Sequence, residues 1–139
     1  MNDFVLSNID TTRSHFLGER GVYIVVSSDP IIGQDLVETI LEFSPIAKVS
    51  LYTGIQQAAV GIADAESVRG IFVTVDSDDL DNTDIFVMLD GYGAFIVLMN
   101  DLPAELLAPV KPERILSISF PFTSEAVHDA LRQIAVHRP

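Results

Sequence analysis

Hydrophobic and polar positions along this chain follow two alternating periods. Val22-Tyr23-Ile24-Val25-Val26 is apolar at every position and rich in β-branched residues, the pattern of a strand covered on both faces. The next stretch repeats Ile32, Leu36, Ile40 and Phe43 three or four residues apart, which makes one stripe of a helix apolar. Ser28 or Asp29 can cap that helix, Pro30 suits its first turn and Pro45 marks its end. The cycle then recurs and predicts strands at residues 48–52, 70–75, 94–99 and 114–119. Residues 55–64 predict a second helix that tolerates Gly61, and 83–90 a third. Pro103 opens a short fourth helix, which Pro109 and Pro112 end. Thr123 or Ser124 caps the last helix. Its buried stripe is Val127, Ala130, Leu131 and Ile134, with His128, Asp129, Arg132 and Gln133 on the wet side.

Five strand–helix cycles with short connections predict an α/β fold. Right-handed crossovers put helices on both faces of a doubly wound, five-stranded parallel sheet, with the flavodoxin-like order 2-1-3-4-5. A polar leader, residues 1–20, precedes a single domain over 21–136; the 139 residues suffice for one core but not for two ordinary domains. The sequence carries no internal repeat and no low-complexity linker.

Composition removes several function classes. Twenty acidic against eight basic side chains give a net charge of −12, which repels nucleic acid and anionic membranes alike. No apolar run approaches the roughly 20 residues of a membrane span, and the first twenty residues lack a signal-peptide core, so a cytoplasmic protein is expected. With no cysteine there is no disulfide, no thiolate chemistry and no sulfur-ligated metal.

In such a fold, ligands sit at the carboxyl ends of the strands. There the chain reads Val25-Val26-Ser27-Ser28-Asp29-Pro30, Ile71-Phe72-Val73-Thr74-Val75-Asp76 and Phe120-Pro121-Phe122-Thr123-Ser124-Glu125. In order and spacing these segments resemble the receiver domain of two-component response regulators, and the likeness runs over residues 21–136. The resemblance implies an acidic pair that holds magnesium, an aspartate that accepts a phosphoryl group, and a lysine and a hydroxyl that read its charge. Here Ser27 and Ser28 stand in place of the acidic pair, Phe120 in place of the lysine and Met99 in place of the hydroxyl; Asp76 keeps the phosphoacceptor position. Neutral hydroxyls are poor ligands for a hard dication, and loss of the metal and the ammonium removes several kcal/mol of transition-state stabilisation, typically about 3–4 per group. We therefore expect a degenerate pseudo-receiver without a cofactor, in which Asp76 serves as a turn former and Phe120 fills the vacated pocket. In the alternative, Asp29, Asp78 and Asp79 supply substitute carboxylates, magnesium binds weakly, and a divergent response regulator is phosphorylated on Asp76.

Other constellations point to bland roles. The acidic run 76–84 lacks the glycine and closing glutamate of a calcium loop and reads as a solvated loop, with Asn82 or Thr83 capping the third helix and Asp84 near its positive end. His15, His128 and His137 fall away from Ser27 and Ser28, so no hydrolase pairing forms, no metal site is expected and the histidines are read as solvent-facing. Gly91-Tyr92-Gly93 precedes a strand and reads as a helix-ending turn. A small-ligand-binding flavodoxin-like protein or enzyme is a further alternative, one that lacks a phosphate loop. The leading expectation is no enzyme but a phosphorylation-independent interaction module of bacterial signal transduction. The resemblance implies a protein partner or self-association through the face of the fourth helix, fifth strand and fifth helix, near residues 101–136. With the chain ending at Pro139, output is expected to pass through a separate protein or a second copy.

Overall fold

The computed structural model describes residues 21–74, 84–100, 102–119 and 121–137. Five parallel strands, β1 (Val22–Val26), β2 (Lys48–Tyr52), β3 (Gly70–Val73), β4 (Phe95–Leu98) and β5 (Ile115–Ser117), form one sheet in the order β2-β1-β3-β4-β5. Its helices are α1 (Pro30–Phe43), α2 (Ile55–Asp64), α3 (Ile85–Tyr92), α4 (Ala104–Leu107) and α5 (Ser124–Val136). This is the doubly wound, flavodoxin-like arrangement that the periodicity predicts. The register aligns Val25 with Leu51 on one side and Phe72 on the other, so the strand ends lie level along the top of the sheet.

Because side chains alternate across a strand, the all-apolar strands feed two cores at once. Ile24, Val26, Ile71, Val73, Ile96 and Leu98 pack with Ile55, Ala58 and Ile62 of α2 and Phe86 and Leu89 of α3. On the other face, Tyr23, Val25, Phe72, Phe95 and Val97 meet Leu36 and Ile40 of α1 and Val127, Leu131 and Ile134 of α5. Nearly all of these side chains are withdrawn from water. At about 1.5–3 kcal/mol for each large apolar side chain, this burial is the main term that opposes chain entropy.

The helix ends explain the element boundaries. Asp29 caps α1 through Oδ1, which accepts from the amides of Ile31 and Ile32 at 2.9 and 3.3 Å. Thr123 caps α5, its Oγ1 accepting from Ala126 at 3.1 Å. Gly93 ends α3 in the left-handed region at φ 71°, where a Cβ would be strained, so the Gly91-Tyr92-Gly93 segment is a helix-ending turn. The Tyr92 hydroxyl reaches back to the terminal carbonyls of α2, at Ile62 (2.6 Å) and Ala65 (2.7 Å). The Arg69 guanidinium donates to the Ile134 carbonyl at 2.7 Å, placing a cation at the negative end of α5.

Two expectations need correction. The N-cap position of α3 belongs to Asp84 itself, whose side chain makes no capping hydrogen bond; Asn82 and Thr83 lie outside the described residues. His128 is not on the wet side of α5. Its ring stacks on Phe43 with centroids 5.4 Å apart, and its Nε2 lies 3.2 Å from the Thr39 carbonyl. The reason is tertiary: α5 packs along α1, whose Phe43 and Thr39 cover a position that helical periodicity alone assigns to solvent.

Candidate functional site

The carboxyl ends of the strands converge at the crevice where ligands of this architecture bind, beside the switch in strand order between β1 and β3. Past β1, the Ser27 amide extends the ladder to the Tyr52 carbonyl at 3.0 Å and turns its side chain inward, where it is fully buried. Its hydroxyl donates to the Asp29 carbonyl at 2.9 Å and accepts from the Asp29 amide at 3.2 Å. A serine hydroxyl has a single proton, so its donor capacity is spent on the turn. Ser28 is exposed. The two adjacent serines thus occupy unlike environments, and the Asp29 carboxylate that follows them is engaged in capping α1.

Past β3, Thr74 is stitched to the end of β1: its amide and its Oγ1 both donate to the Val26 carbonyl, at 2.9 and 3.3 Å. Asp76, Asp78 and Asp79 lie outside the described residues, as does Phe120. Past β4, Met99 is 4% exposed and packs in the core shared with α1 and α5. A thioether in that setting offers no hydrogen to an anion. Past β5, the Ile118 amide continues the ladder to Leu98 at 2.8 Å, leaving Ser119 exposed.

One further polar group lies at a strand end. Asn100, directly after Met99, carries a buried Oδ1 with no hydrogen-bond partner among the described residues. The only sequence signal for it is a polar residue that closes the apolar run Ala94 to Met99. Among the described residues, no group of three or more acidic or histidine side chains is placed to hold a metal ion.

A second feature is the flank of the molecule where β5 forms one edge of the sheet. A groove of about 380 Å³ runs between β5 and α5, lined in part by Leu116, Ser117, Ser119, Ala126 and Gln133. Val136, at the end of α5, is 77% exposed, a large apolar side chain left in water.

The parallel sheet in the order β2-β1-β3-β4-β5 gives the chain a receiver-like fold. Solved structures with the same fold include the response regulator PhyR from Brucella abortus (17% identity, TM-score 0.57, covering 93% of this chain and 54% of that one). The anti-anti-sigma factor PhyR from Bartonella quintana gives 18% identity and a TM-score of 0.61, over 94% of this chain and 51% of that one. A putative pilus assembly-related protein from Burkholderia pseudomallei K96243 gives 17% identity and 0.55, over 83% of this chain and 89% of that one. The chain therefore spans about half the length of the PhyR proteins. No protein-family model matches the chain, and no curated protein matches it. Among the described residues no helix is long and apolar enough to cross a membrane.

Proposed function

We propose that this chain is a phosphorylation-independent pseudo-receiver, a cytoplasmic protein-interaction module of bacterial signal transduction with no catalytic activity and no cofactor of its own. The observation that carries the reading is the state of Ser27. A residue standing where a receiver needs a metal-binding carboxylate is neutral, buried and hydrogen-bonded into the turn that starts α1. Met99, standing where a hydroxyl is needed, belongs to the core. Both positions support the fold, and neither offers charge to a dication or a phosphoryl group. The signalling context is supported by the fold shared with a response regulator and an anti-anti-sigma factor. The proposed contact face is α4, β5 and α5, and a partner protein or a second copy docks there; the groove between β5 and α5 and the exposed Val136 support that choice.

Titration with magnesium and beryllofluoride, followed by two-dimensional amide NMR, tests the proposal. The expected result is no saturable shift at the residues following β1, β3 and β4. A saturable response that disappears in Asp76→Ala would overturn the reading in favour of a receiver phosphorylated on Asp76, with Asp29, Asp78 and Asp79 as the carboxylates holding the metal.

A further inference from the structure

A second groove adjoins the β5–α5 groove at Pro121, which lines both. It measures about 750 Å³ and lies between α1 and the segment that leads from β5 into α5. One wall is the outer face of α1, where Asp35, Glu38 and Glu42 recur at three- and four-residue spacing and so project on one side of the helix. The opposite wall holds Pro121, the half-buried Phe122 and Ser124, while Ile32 and Thr39 of α1 complete the lining. Beyond the open end Ile31 is 75% exposed. Among the described residues the lining holds three carboxylates and neither lysine nor arginine. Two basic side chains of α5, His128 and Arg132, are held by other contacts. His128 sits 3.8 Å from Glu42 while also meeting the Thr39 carbonyl, and Arg132 pairs with Asp129 and lies over the Phe43 ring.

We propose that this groove docks a lysine- or arginine-rich amphipathic helix of a partner protein. Three observations select that occupant. The anionic wall demands cations, and the net charge of −12 steers them towards the molecule. The apolar part of the lining, Ile32, Pro121 and Phe122, favours a hydrophobic stripe on the same ligand, which a small cation or a polyamine lacks. The rail from Ile32 to Glu42 spans ten residues of helix, about 15 Å at 1.5 Å per residue, and this matches a partner helix of about three turns. A second copy of this chain is a poor occupant because its own surface is acidic. The two grooves meet at Pro121, but the α1 carboxylates line only this one, so the inference does not rest on the β5–α5 contact.

The probe is a synthetic three-turn helical peptide with leucines on one face and lysines on the other, titrated by fluorescence anisotropy and mapped by amide shifts. The paired substitution Glu38→Lys and Glu42→Lys is expected to weaken binding by about tenfold or more. Reversing two carboxylates elsewhere, Asp64→Lys and Glu66→Lys, changes the net charge by the same amount and is expected to alter binding by less than about threefold. All four side chains are exposed, so both variants keep the fold, which circular dichroism checks. A matching peptide with glutamates for lysines is expected to bind the Glu38→Lys, Glu42→Lys variant better than the original protein. Equal losses in the two variants, or shifts centred away from α1 and Phe122, would overturn the proposal and reduce the effect to net charge alone.

Discussion

A buried hydroxyl has one hydrogen to donate, and at position 27 it goes to the Asp29 carbonyl while the oxygen takes the Asp29 amide. Ser27→Ala strips both partners at once, in a site that water does not reach. The expected loss is about 1–2 kcal/mol, read from urea unfolding, with little change in the denaturant slope. Ser28→Ala, on an exposed side chain, is expected to fall within about 0.5 kcal/mol of the parent. The sequence shows two neighbouring serines and nothing that separates them, since an apolar strand buried on both faces gives no alternation from which to extrapolate past its end. His128 departs from its predicted wet face for a related reason: one helix's stripe does not record which residues of a neighbouring helix lie across it. Asn100 is not singled out by the sequence because its distinguishing property, a buried carbonyl without a partner among the described residues, exists only in three dimensions.

At the scale of elements the pattern was far more legible. β1, β2 and α2 begin and end where the periodicity places them, because each is bounded by a strong local signal such as Asp29-Pro30 or Thr53-Gly54. β4 and β5 are shorter than the predicted spans 94–99 and 114–119, although the Met99 and Ile118 amides each carry one further hydrogen bond past the strand ends. How α1 seats against β2 was not foreseeable from either element alone. Gly33 faces Leu51, and a Cβ there would stand 2.7 Å from Leu51 Cδ1 and 3.3 Å from Ser27 Cβ. Two effects compete in Gly33→Ala: a helix-propensity gain of about 1 kcal/mol and an overpacking cost of about 1–3 kcal/mol. The cost should prevail, lowering the thermal midpoint. In a Leu51→Ala background the close contact vanishes, and the same substitution should become stabilising. Stabilisation in both backgrounds would show that Leu51 moves aside freely, and destabilisation in both that Ser27 Cβ sets the limit.

For the whole molecule, charge dominates. A net charge of −12 on 139 residues sets the folded state against its own field, and the ion pair of Arg132 with Asp129 lies on the surface, where it contributes little. Added monovalent salt should therefore raise the thermal midpoint measured by calorimetry, because screening relieves more repulsion than the attraction it removes. A midpoint that falls with salt would mean that specific pairs matter more than the overall field. The strand order has a consequence for how the chain is made. β1 lies inside the sheet, and each later strand joins an edge that is already exposed: β2 on one side, then β3, β4 and β5 in succession on the other. During vectorial synthesis no strand has to wedge itself between two that have already paired, so assembly can keep pace with the emerging polypeptide.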